Sequence, residues 1–241
     1  MTAQTYEEAR TSLAAMCRDL EQRGLVVGTA GNISIRTTHN VAITGTGVDF
    51  GQASPNDIVV VDDEGTVIDG NIAPSSETAL HLYAYQDPAV GAVVHTHSPA
   101  ATAVSVLVDE LPCTHYQQLL LGGAVPVVPF AVFGSQELAT SVSQTLVGRK
   151  AVILANHGAV TVGRDLNEAA KNARLLEWAS DLYIRAASAG QPRPLTLTQQ
   201  GDVVHAARHL NYGTKKPASR TPARSRQPTD LNRRHEQLGP S

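Results

Sequence analysis

VGAVVHTHSPAATAVSVL, residues 90–107, joins two structural periods in one short span. From Val90 to His97 it is an apolar, valine-rich run that fits a buried strand. Pro99 then suits the first turn of a helix, and the alanines, valines and Leu107 fit the helix that follows. A strand passing directly into a helix points to a sheet layered with helices, and the pattern continues on both sides. Residues 5–22 have apolar positions at helical spacing and stop at Gly24. Ile33–Arg36, Val41–Thr44, Ile58–Asp62 and Thr66–Ile68 read as short strands, the last two flanking a hairpin turn in Asp-Asp-Glu-Gly. Ser75 or Ser76 can cap a helix running to about Gln86. Beyond residue 107, Pro126–Pro129 reads as extended, Gln136–Val147 as a helix and Ala151–Leu154 as an apolar strand. A long helix covers Asn167–Ala189 and a last one Gln199–Leu210. Helices alternating with short strands predict a mixed α/β layered domain and not a sandwich or bundle.

Composition narrows the class. The chain has 241 residues and a hydrophobic fraction of 42%, which supports a real core. Aromatics make up only 4%, so Val, Ala, Leu and Ile must do most of the packing. A net charge of −3 gives no bulk electrostatic reason to bind nucleic acid or an anionic membrane. Cys17 and Cys113 are too few for a disulfide framework or a Cys-rich zinc site, so any metal must rely on His and carboxylate. Cys17 shares a helix face with Leu13, Met16 and Leu20 and reads as core, and Cys113 as inert. The N-terminal MTAQTYEEARTSLAAM carries acids where a signal peptide needs basic residues, and no stretch reaches the roughly 18 apolar residues of a membrane helix. The expectation is a soluble, cytoplasmic protein.

In Val93-Val94-His95-Thr96-His97 strand alternation turns His95 and His97 to the same side, with Thr96 opposite. His157, in Asn156-His157-Gly158, also follows a buried strand, at the boundary where side chains leave the sheet, and Gly158 permits close backbone approach. Each segment alone is a weak signal. Three histidines at the strand ends of one sheet match catalytic zinc, which takes three protein ligands and keeps a position open. The other histidines read as structural: His81 as packed or hydrogen-bonded on a helix with Glu77, His205 and His209 as partly exposed, His39 in a turn and His235 in the tail.

Anion binding is the second theme. Gly28-Thr29-Ala30-Gly31-Asn32 and Thr44-Gly45-Thr46-Gly47 are small, hydroxyl-bearing and adjacent to strands, and Ser75-Ser76 opens a helix. Backbone amides in such turns and at a helix start attract phosphate. Neither a Walker loop nor G-x-G-x-x-G is present, so nucleotide binding is not supported. Glu77, in the first turn of the same helix, reads either as an acid favoured by the helix dipole or as a general base beside a metal. From Thr214 onward Lys and Arg dominate, with prolines and no apolar periodicity, which reads as a solvated, disordered tail (214–241) after a domain of residues 1–213.

From about residue 5 to 212 the chain resembles the class II aldolase/adducin family, most closely its fuculose-phosphate aldolases. The segments GTAGNISIR, TGTGVDF, PSSET, VVHTHSPAATA, THYQQLLLGG, PFAVFGS and ANHGAV stand in that family's order and spacing. The resemblance implies a central, mostly antiparallel sheet flanked by helices. It implies Zn2+ on His95, His97 and His157, with Glu77 a fourth ligand that becomes a base when substrate displaces it. It implies phosphate held by Thr29, Asn32, Thr46, Gly47, Ser75 and Ser76, with Tyr116 a proton donor and Tyr212 a second active-site tyrosine. The implied reaction is reversible cleavage of a ketose 1-phosphate to dihydroxyacetone phosphate and an aldehyde. The implied assembly is a homotetramer in which Tyr116 serves a neighbour's metal. A pentose-phosphate 4-epimerase, typically with Asp after the serine pair, and a dehydratase or decarboxylase of the same fold are alternatives. A non-catalytic adducin-like module is the alternative of another class. TGTG lacks a proline common in relatives, and the basic tail has no counterpart.

Overall fold

The computed structural model describes residues 5–210. Tyr212, His235 and the basic segment from Thr214 lie outside the described residues, so the boundary expected at residue 213 does too. Helix α1 (Tyr6–Gln22) starts in a capping box, Thr5 and Glu8 each accepting the other's backbone amide, which satisfies two donors a helix start otherwise leaves unpaired. Ala9, Leu13, Cys17 and Leu20 form its buried stripe. Among the described residues five more helices follow: α2 (Thr78–Ala84), α3 (Pro99–Ser105), α4 (Gln136–Leu146), α5 (Leu166–Ala189) and α6 (Leu197–His209).

Among the described residues one nine-stranded sheet runs in the order β4-β3-β2-β1-β5-β9-β8-β7-β6. Its strands are β1 (Gly31–Arg36), β2 (Val41–Thr44), β3 (Ile58–Val61), β4 (Val67–Asp69), β5 (Ala92–Thr96), β6 (Glu110–Leu111), β7 (Val125–Val128), β8 (Ala151–Leu154) and β9 (Gly158–Gly163). Neighbours are antiparallel except β7 and β8, which run parallel. The hairpin between β3 and β4 is tied by Asp62, whose carboxylate accepts from the amides of Glu64 and Thr66. No described helix is long and apolar enough to cross a membrane.

Strand β5 lies between β1 and β9 and feeds both faces. Val94 packs with Leu13, Leu20, Ile33 and Ala170 beneath α1 and α5. Val93 packs with Ile43, Leu80, Val142 and Val160 beneath α2 and α4. Burying each such valine contributes on the order of 1.5–3 kcal/mol. The alternation carries His95 to the same face as Val93, toward α2.

Two expectations need correction. The strands read from sequence omit the two-residue β6 and also β9, the latter because Gly158-Ala159-Val160-Thr161-Val162-Gly163 is bounded by glycines and carries a threonine that looks like a loop residue. Thr161 is in fact buried, its hydroxyl donating to the Ala169 carbonyl at 3.0 Å. The helix expected from Ser75 to Gln86 is shorter. The Ser75 amide donates to Thr44 O at 3.1 Å, continuing the sheet, and Ser75 Oγ takes the Glu77 amide at 3.2 Å. That turn delays the helix to Thr78 and leaves Glu77 at its N-cap, not in its first turn.

Candidate metal centre

Glu77, His95, His97 and His157 converge where β1, β5 and the β8–β9 hairpin meet the start of α2. One ligand atom from each lies within 4.8 Å of every other. The three imidazoles sit in a near-equilateral triangle, with ring centroids 4.8, 4.9 and 4.8 Å apart and planes at 69–88° to one another. His95 is fully buried, and His97 follows it just past the end of β5. His157 occupies the tight β8–β9 connection, after Asn156 at φ 56°. Gly158 makes the connection possible: a Cβ there would lie 2.4 Å from Thr96 O and 3.0 Å from His97 Cδ2.

The hydrogen bonds decide what this cluster can hold. His95 Nδ1–H donates to Ala159 O at 3.0 Å, which leaves Nε2 as the nitrogen that faces the cluster. That Nε2 faces His97 Nε2 at 3.0 Å and Glu77 Oε2 at 3.1 Å. Among the described residues the buried Glu77 Oε1 has no hydrogen-bond partner, with His157 Nε2 3.5 Å away. Ring nitrogens and a carboxylate converging this closely need a shared positive charge among them, a proton or a metal ion. Nitrogen and carboxylate donors of this kind suit a divalent transition metal, so the residues fit the ion.

Charge points the same way. Burial would raise the Glu77 carboxyl, but His95, the Asn32 hydrogen bond and His157 outweigh it and hold the group well below the usual carboxylate range. Burial pushes His97 down to about 4, with His95 and His157 adding to the shift, and burial lowers His157 as well. Neutral His97 and His157 beside an ionised carboxylate are the forms that bind metal.

A cavity of about 400 Å3 opens over the cluster. Thr29, Asn32, Thr46, Gly47, Ser75 and Ser76 all line it, with Glu77, His97 and His157. Gly47 takes φ 68° there, a conformation that favours glycine. The structure does not bring Tyr116 to this cavity. It is 43% exposed at the start of a 3-10 turn, Tyr116–Leu121, its ring tilted against His115 at 4.5 Å. Phe130, Val132, Phe133 and Asn156, to which sequence reasoning assigns no role, also line the cavity. Two phenylalanines and a valine in a loop, in so aromatic-poor a chain, were the available signal.

The comparisons with known proteins agree with this geometry. The model of the class II aldolase and adducin N-terminal domain matches residues 11–184. A 5-deoxy-D-ribulose 1-phosphate aldolase of Bacillus thuringiensis serovar kurstaki is 34% identical over 192 residues, covering 78% of this chain and 90% of that protein. The L-fuculose phosphate aldolase of Escherichia coli strain K12 is 36% identical over 190 residues, covering 78% and 88%. A solved L-fuculose 1-phosphate aldolase superposes with a TM-score of 0.81 at 31% identity, covering 86% of this chain and 98% of that one. The nine-stranded layered sheet and the relatives' class II aldolase activity lead to one conclusion: the chain belongs to the class II aldolase and adducin N-terminal domain family and is a lyase of its metal-dependent aldolase branch.

Proposed function

We propose that this enzyme cleaves a ketose 1-phosphate reversibly to dihydroxyacetone phosphate and an aldehyde, with a zinc ion held by Glu77, His95, His97 and His157. The observation that carries the reading is the buried Glu77 Oε1, without a hydrogen bond, beside a cavity lined by threonine, serine and glycine turns. When bound, the ion supplies Lewis-acid stabilisation of the negative charge that develops at the substrate's carbonyl oxygen.

The chain's own residues do the rest. Thr29, Asn32, Thr46, Ser75 and Ser76 donate to the phosphate, Gly47 lets the backbone approach it, and together they fix the non-reacting end. Glu77, held ionised, accepts and returns the proton on the substrate carbon through Oε1. Phe130, Val132 and Phe133 offer an apolar wall to the aldehyde half. Fuculose and 5-deoxyribulose, named for the two relatives, both end in a methyl group, so a deoxy ketose 1-phosphate suits that wall. Tyr116 lies off the cavity of its own chain and serves as proton donor in a neighbour's site of a homotetramer, and Tyr212 completes the site. The catalytic unit is residues 1–213, and 214–241 is an appended basic tail.

Incubating the zinc-loaded enzyme with a panel of ketose and pentose phosphates tests this. Dihydroxyacetone phosphate and a deoxy aldehyde are the expected products. An epimerised pentose phosphate or a dehydrated sugar as sole product overturns the proposal.

A further inference from the structure

Behind the ligand cluster, a line of buried polar side chains outside the three histidines ends on Glu77. Asn32 Nδ2 donates to Glu77 Oε2 at 2.9 Å, and Asn32 Oδ1 lies 2.6 Å from His81 Nε2. His81 Nδ1 lies 2.6 Å from Ser34 Oγ, which lies 2.8 Å from the Tyr85 hydroxyl. Ser34 and His81 are fully buried, and Asn32 and Tyr85 nearly so.

Each donor in this line follows from the one before. A carboxylate only accepts, so the Asn32 amide nitrogen must face Glu77 and its carbonyl must face His81. His81 therefore carries its proton on Nε2, and the bare Nδ1 accepts from Ser34. Ser34 has then spent its single hydrogen, so Tyr85 donates to it. Reversing any one link sets two donors or two lone pairs against each other among side chains that are buried or nearly so, which a buried polar network tolerates poorly.

We propose that His81 is a positioning residue. As the neutral Nε2–H tautomer it locks the Asn32 amide toward Glu77 Oε2, which fixes the carboxylate and leaves Oε1 free for the ion and for proton transfer. The proposal rests on Glu77 being both ligand and base, as in the proposed function. Burial, with His95 adding to it and Glu77 opposing, pushes His81 down to about 3, so the ring stays neutral at working pH. Burial also pushes the Tyr85 phenol up, so Tyr85 keeps the hydrogen it donates.

The test uses the full chain and two readouts besides turnover. Long-range nitrogen–proton NMR on histidine-labelled, metal-free enzyme should show His81 with a protonated Nε2 and a bare Nδ1 at neutral pH. A proton on Nδ1 overturns the proposal. Chelator competition with Zn2+ should show His81→Leu binding the ion about tenfold to a hundredfold more weakly, the range for residues that orient ligands from behind, with kcat falling more than KM rises. His81→Gln, which restores an N–H toward Asn32, should recover most of both. A folded His81→Leu variant with wild-type Zn2+ affinity overturns the proposal. If His81→Leu does not fold, Ser34→Ala decides: Asn32 still sets the tautomer but the ring loses its second anchor, so weaker Zn2+ binding supports the proposal and wild-type affinity overturns it. Weaker Zn2+ binding by His81→Leu in an enzyme that cleaves no ketose phosphate still supports the positioning role, so the two claims fail separately.

Discussion

Glu177 Oε1 on α5 accepts a hydrogen bond from the backbone amide of Ala100 at 2.8 Å, and its other oxygen takes the Ala101 amide at 2.9 Å. A carboxylate from another helix thus caps α3, whose own N-cap, Ser98, makes no side-chain capping bond. Because α3 begins two residues after His97, the cap also fixes the exit of the chain from the ligand cluster. Glu177→Ala should lower the unfolding free energy by about 1–3 kcal/mol, read by urea denaturation, and loosen metal binding. A variant as stable as the parent would show that the cap carries no weight.

Gly158→Ala should be more harmful than its single methyl implies. The new Cβ meets Thr96 O and His97 Cδ2, so β9 must move from β5 beside two of the ligand histidines. A loss of about 1–3 kcal/mol in stability is expected, together with weaker metal retention. Thermal melting and metal analysis of the same sample check both.

Acid should destabilise the protein partly through His81. Its folded pKa of about 3 lies below the ordinary imidazole value of about 6.5, so between these pH values the unfolded chain binds more protons. Stability from this group is therefore fully present above pH 6.5 and is lost as pH falls toward 3. At pH 5 the loss is about 2 kcal/mol, on the rule of 1.36 kcal/mol per pH unit. In metal-free protein, His81→Gln should flatten the plot of unfolding free energy against pH in this window. Parallel plots for variant and parent would remove His81 as a cause.

Glu77→Gln removes the base while keeping the side chain's size. Exchange of the substrate-carbon proton with solvent deuterium should slow by about 10²–10⁴-fold, while phosphate still binds the cavity. Unchanged exchange would place the base elsewhere.

Much of this was legible in the sequence for specific reasons. The two-residue strand period put His95 and His97 on one side without any tertiary information. The apolar run Ala151–Leu154 marked where His157 would leave the sheet. Local rules failed where backbone from elsewhere intervened: Ser75 is drawn into the sheet by Thr44, which shortens α2 and moves Glu77 to its cap. They could not find the line from Tyr85 through Ser34, His81 and Asn32, because its links alternate between β1 and α2 and no spacing encodes the pairing of a strand with a helix packed over it. Glu177 was silent for the same reason, since its partners are backbone amides on another helix.

Metal content after exhaustive dialysis, compared between the parent and His157→Ala, tests the centre most directly. His157 comes from the β8–β9 hairpin and His95 and His97 from β5 and its exit, so its loss removes the ligand that only folding brings to the others. The parent should keep about one divalent ion per chain, and the folded variant should lose it. A variant that holds its ion as tightly as the parent would contradict a centre built on these three histidines and Glu77.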